Sequence, residues 1–144
     1  MPREPSTPRI AVWRQLKRLG VVQIGDGLVG LPADARTREQ LDWVADEVIE
    51  AGGTASVWVA RPGSAAQQGA LATLMADAVA VEYRQVIAEA GAAGNAEMTD
   101  RRRIVARLQR ELHRIGQRDR FPPPERDLAR TAVRDVARVA ESVS

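Results

Sequence analysis

PRIAVWRQLKRLGVVQIGDGLVGLP, residues 8–32, holds the clearest start, stop and change of period in this 144-residue chain. Thr7 can cap a helix whose first position is taken by Pro8, where a missing N–H costs nothing, and Gly20 stops it by accepting a left-handed backbone. Between these marks Val12, Trp13, Leu16 and Leu19 follow helical spacing and are expected to face a core. Arg14, Lys17 and Arg18, at i, i+3 and i+4, share a second, basic face. After Gly20 the period falls to two: Val22, Ile24, Leu28 and Leu31 lie in two short apolar runs joined by Gly25-Asp26-Gly27, whose dihedral freedom suits a tight turn. The stretch therefore reads as a helix feeding a β-hairpin.

Downstream, residues 33–36 form a loop, and Thr37 with Gln40 three residues on has the pattern of a capping box. Leu41, Val44, Ala45 and Val48 then recur at i, i+3, i+4 and i+7, and Gly52-Gly53 end a second helix. Its other face carries Glu39, Asp42, Asp46, Glu47 and Glu50, in the register of a solvated surface rather than a metal site. Residues 54–60 alternate, with Ala55, Val57 and Val59 on one face and Trp58 on the other, as in a half-buried strand. The order is helix, strand, strand, helix, strand. A preceding strand would complete βαββαβ, the ferredoxin-like arrangement, but the lead-in MPREPS is too short and polar to supply one. That edge is expected to be truncated or filled by a partner.

From Arg61-Pro62-Gly63-Ser64 the character becomes helical. Ser64 caps a long helix to about Ala90, with Leu71, Leu74, Met75, Ala78, Val81 and Val86 or Ile87 on its buried side, until Gly91-Ala92-Ala93-Gly94-Asn95 breaks it. Thr99 caps a helix through about Gln117, with Ile104, Leu108 and Leu112 at i, i+4 spacing and Val105 and Ile115 beside them. Phe121-Pro122-Pro123-Pro124 is a hard stop. A last helix, roughly Glu125 to Glu141, aligns Leu128, Ala132, Val136 and Val139. The predicted fold is α+β: residues 1–61 form a small α/β half, and residues 62–144 a helical hairpin or three-helix layer packed on it as one compact unit.

Composition narrows the function. The chain has no cysteine, which excludes disulfides, thiolate redox chemistry and Cys-ligated metal, and its one histidine makes imidazole ligation poor; no metal or cofactor is expected. No segment approaches the roughly 20 apolar residues of a membrane span, so the default address is cytoplasmic. No serine sits in a G-x-S-x-G setting and no glycine loop has the phosphate-binding pattern, so an enzyme is not expected. Net charge is only +2, yet the basic side is almost wholly arginine, Lys17 being the sole lysine. Arginine forks onto phosphates and other oxyanions; a GC-rich genome produces the same bias without function.

The face of Arg14, Lys17 and Arg18, with Arg9 about one turn earlier, is the candidate phosphate contact; ordinary solvation is the alternative. Arg101-Arg102-Arg103 opens the densest arginine tract, in which Arg103, Arg107, Arg110 and Arg114 form a stripe on one helix face. Such a stripe follows a nucleic-acid backbone or surrounds a doubly charged oxyanion, unless neighbouring acids such as Glu125, Asp127 or Asp135 neutralise it. Arg61, just after the expected third strand, is a further candidate oxyanion contact. His113 reads as a surface or partly buried imidazole without catalytic partners.

RIAVWRQLKRLGVVQIGDGLVGLP, residues 9–32, resembles the opening motif of the N-terminal region of the chromate-resistance regulator ChrB, and more distantly the middle region of PaaX-type repressors of phenylacetate catabolism. Glu82-Tyr83 and Asp119-Arg120-Phe121 stand where ChrB-like sequences carry an "EY" and a "DFF"-like tract, so the resemblance runs from about Arg9 to Ala140. It implies a ferredoxin-like topology, a cytoplasmic transcriptional regulator of chromate resistance, DNA contact through the N-terminal basic region, and chromate as the oxyanion. ChrB-like proteins carry a further C-terminal domain for which 144 residues leave no room, so sensing is expected to belong to a separate chain. The alternative is a non-catalytic interaction module that pairs with itself as a homodimer or with a separately encoded sensor domain.

Overall fold

Two glycines with positive φ, Gly20 (78°) and Gly52 (89°), end the helices of the first half of the chain. Each follows its helix with the paired backbone bonds that satisfy terminal carbonyls: Gly20 N–H to Lys17 C=O and Val21 N–H to Leu16 C=O, then Gly52 N–H to Ile49 C=O and Gly53 N–H to Val48 C=O. The helices so bounded are α1 (Thr7–Leu19) and α2 (Ala35–Glu50). Between them, β1 (Val22–Gly25) and β2 (Leu28–Gly30) pair antiparallel, Val22 opposite Gly30 and Gln23 opposite Val29, with an irregularity between Gln23 and Gly25. The computed structural model describes residues 7–142, with side chains through residue 140. The lead-in, residues 1–6, and with it the expected absence of a first strand, lies outside the described residues.

Val12, Val44 and Val48 are buried together between α1 and α2, with Leu16 and Leu19 packed against them. Trp13 departs from expectation: it is 39% exposed, at the edge of the stripe, with the Lys17 ammonium 5.6 Å from its ring centroid. Val12, Leu16 and Leu19 already fill the face toward α2, and one residue's rotation of about 100° carries Trp13 off it. The start of α2 also differs. Asp34 is the N-cap, its carboxylate accepting the Thr37 N–H at 2.8 Å while Thr37 Oγ1 accepts the Asp34 N–H at 3.1 Å. Thr37 is thus the third helical residue, buried, its hydroxyl donating to Pro32 C=O at 2.7 Å. Aspartate outcompeted threonine because its carboxylate reaches the free N–H groups one turn earlier.

Residues 54–60 are not a strand. Among the described residues the sheet holds only β1 and β2, whereas a ferredoxin-like sheet needs four strands. An alternating segment becomes a strand only where an adjacent edge completes its ladder, and no edge among the described residues does so.

Three further helices follow, α3 (Ala65–Ala93), α4 (Met98–Arg118) and α5 (Glu125–Ser142), so the α+β class is mostly helical. Ser64 caps α3 as expected, its hydroxyl accepting the Gln67 N–H at 3.2 Å. Thr99 does not cap α4; Glu97 occupies the N-cap without a side-chain bond. Contacts gather into two compact units, one through Leu71 and one from Ala72 onward, the division falling within α3 beyond the residues 61–64 connection.

The second unit has its own core: Val79, Tyr83, Val86 and Ala90 of α3, Val105, Leu108 and Ile115 of α4, and Ala129 and Val133 of α5. The expected register holds on α4 and in part on the other two helices, where Val86 is buried and Ile87, Ala132 and Val136 pack against the core. Leu74 and Val81 of α3 and Leu128 and Val139 of α5 are about half exposed or more, while Val79, Ala80 and Ala129 are buried. Both helices are rich in alanine, which the core accepts readily, so larger residues next to the buried stripe do not mark its direction.

Candidate nucleic-acid interface

α1 turns Val12, Leu16 and Leu19 toward α2, and the helical period then sends Arg14, Lys17 and Arg18 outward. All three are exposed, and among the described residues none pairs with a carboxylate; Lys17 approaches the Trp13 ring instead. Lys17 and Arg18 lie in the last turn, where cations favour the helix dipole. Arg9 is exposed but sits about 80° from Lys17 and about 180° from Arg18 around the helix, and it already makes an interaction of its own. The basic face is therefore Arg14, Lys17 and Arg18, bordered by the exposed apolar surfaces of Ile10 and Trp13.

The arginine tract of α4 divides into three groups. Arg101 turns back onto the end of α3, its guanidinium donating to Ala93 C=O at 3.3 Å, Gly94 C=O at 3.0 Å and Ala96 C=O at 3.1 Å. Arg107 pairs with Glu89 of α3 at 3.1 Å and Arg114 with Glu111 at 3.1 Å. Arg102, Arg103 and Arg110 are exposed with no ion pair among the described residues. Neutralisation by neighbours thus occurs, but through Glu89 and Glu111; Glu125 instead meets Arg84 at 3.5 Å and Asp127 meets Arg126 at 3.6 Å. His113 is exposed, its Nε2 3.3 Å from the Gln117 amide nitrogen, in an open depression along α4 that Arg110 and Arg114 also line. Arg61 belongs to the first unit, exposed and without an ion pair among the described residues.

A polar tie joins α3 to the end of α4. Tyr83, 1% exposed, donates its hydroxyl to Asp119 Oδ2 at 2.7 Å, and one residue away on each side Arg118 donates to Glu82 at 2.7 Å. Burial first, then the hydrogen bond to Asp119 and that carboxylate's charge, push the Tyr83 phenol well above its ordinary value, against the opposing charges of Arg130 and Arg126. The other oxygen of Asp119 is buried without a hydrogen-bond partner among the described residues. The only signal in the chain was the position of Glu82-Tyr83 and Asp119-Arg120-Phe121, which the structure brings together.

A family model described as "Protein ChrB, N-terminal" matches residues 9–144. No curated protein and no solved structure matches the chain. No helix among the described residues is long and apolar enough to cross a membrane.

Proposed function

The chain belongs to the family of ChrB N-terminal domains, a chromate-resistance-related regulatory domain, and from that premise we propose that it is a non-catalytic cytoplasmic regulator of transcription whose α1 contacts DNA phosphates. The observation that carries the reading is the outward face of Arg14, Lys17 and Arg18, exposed and without a carboxylate partner among the described residues. Side chains that are not already neutralised release counterions when they meet phosphate, which yields affinity that falls steeply with salt. Arg102, Arg103 and Arg110 of α4 offer a second unpaired group of the same chemistry. Chromate or a like oxyanion is the proposed effector, with Arg103 and Arg110 of α4 as exposed contacts; Arg107 is engaged by Glu89.

Fluorescence anisotropy with labelled duplex from the chain's own promoter region tests this at about 50 and 200 mM salt. The reading expects binding at the lower salt that weakens by an order of magnitude or more at the higher. Absence of binding at low salt, or binding indifferent to salt, removes it.

A further inference from the structure

Residues 54–60, TASVWVA, carry backbone donors and acceptors that nothing else in the described chain satisfies. No backbone hydrogen bond links them to another described residue, and their one side-chain bond is local, Trp58 Nε1 donating to Ser56 Oγ at 2.9 Å. The same residues expose Trp58 (83%) and Val59 (67%). They contain no charge and no proline, the features by which native chains blunt a strand edge; the first of either comes at Arg61-Pro62.

We infer that residues 54–60 pair antiparallel with the same residues of a second copy, closing a two-fold dimer. The segment is self-complementary about Val57. That register sets Val57 opposite its own copy, Ser56 opposite Trp58 and Ala55 opposite Val59, the last two each a small side chain facing a larger one. Charge selects the same occupant. The last turn of α2 holds Glu47 and Glu50 and no basic residue, at the end of the helix where cations are favoured. Neither Glu50 nor Arg61 has an ion-pair partner among the described residues. The register puts Arg61 of each copy opposite Gly53 of the other, immediately beyond the end of α2. Each copy thus supplies the cation that the other copy's helix lacks. A two-fold contact of this kind closes on itself and stops at two chains.

Sedimentation equilibrium of the full chain over about 1 to 100 µM decides the matter. The expected result is a concentration-dependent mass that rises to twice the 15.7 kDa of the chain and no further. Val59→Lys puts a charge into the paired edge and should leave a monomer with the parent's far-UV circular dichroism. Arg61→Glu should weaken the dimer about tenfold or more, and adding Glu50→Arg should restore it. The charge exchange keeps the test decisive if Val59→Lys fails to fold. A parent that stays monomeric, assembly that grows past the dimer, a Val59→Lys protein that still dimerises, or an exchange that restores nothing would each overturn the inference. Monomers that dimerise only on addition of a separate sensor domain overturn it as well, in favour of a foreign strand.

Discussion

Tyr83 is the only tyrosine in the chain, so its ionisation can be followed without ambiguity. Its phenol is held neutral by burial and by the bond to Asp119, and its folded-state value lies above the value of about 10 that it takes in the unfolded chain. Beyond about pH 10 the unfolded state loses a proton that the folded state keeps, so stability must fall as pH rises. We expect the 295 nm phenolate absorbance to stay absent from the folded protein above that pH and to appear together with loss of helical circular dichroism. A phenolate signal at about pH 10 from a protein that remains fully helical would contradict the tie. Tyr83→Phe should abolish this alkaline loss. At neutral pH it should also cost about 1 to 3 kcal/mol by urea denaturation, because it leaves the Asp119 carboxylate, one of whose oxygens already lacks a partner among the described residues, without its donor.

Among the elements, the end of α3 depends on Arg101. Three backbone carbonyls at and beyond the last turn of that helix accept from this one guanidinium, where a cation also meets the favourable end of the helix dipole. Arg101→Ala is expected to lower the urea midpoint by the equivalent of about 1 to 2 kcal/mol, with the slope unchanged. Its neighbour Arg102→Ala should stay within about 0.5 kcal/mol of the parent, because that side chain is exposed and bonds to nothing described. Equal effects from the two substitutions would show that the capping bonds carry no weight. The end of α2 offers a cleaner backbone case. Gly52 sits at φ 89° with open space where a Cβ would point, so Gly52→Ala should cost about 1 kcal/mol, read as a lower melting temperature, from conformation alone.

How far these elements could be read from the residues depended on what specified each one. α1, the hairpin and the end of α2 are set by local chemistry, namely helical spacing and glycines that accept positive φ, and they appear where that chemistry places them. The basic face of Arg14, Lys17 and Arg18 was legible for the same reason. Residues 54–60 were not, because alternation states a capacity to pair and the pairing needs a second edge. Nor was the direction of α3: its alanines suit a core as well as its larger residues do, and only the positions of α4 and α5 choose among them. The three fates of the α4 arginines, capping, pairing and exposure, depend on which carboxylates and carbonyls approach in space, and spacing along one helix holds no record of that.

At the scale of the whole molecule, a net charge of +2 supplies little attraction toward a polyanion, so affinity for DNA has to come from where the charges are not cancelled. The α1 face and the unpaired arginines of α4 meet that condition, while Arg107, Arg114 and Arg118 are engaged by Glu89, Glu111 and Glu82. The two groups belong to different compact units, and each can be altered without touching the core of the other. The most direct measurement replaces both Arg14 and Arg18 by Gln, which keeps helix propensity and length and deletes charge, and repeats the anisotropy titration across a salt series. The account predicts a melting temperature equal to the parent's, binding weaker by about tenfold or more, and a salt slope shallower by about two phosphate contacts. A variant that binds as tightly as the parent with the same slope would contradict it and leave the α1 face as solvated surface.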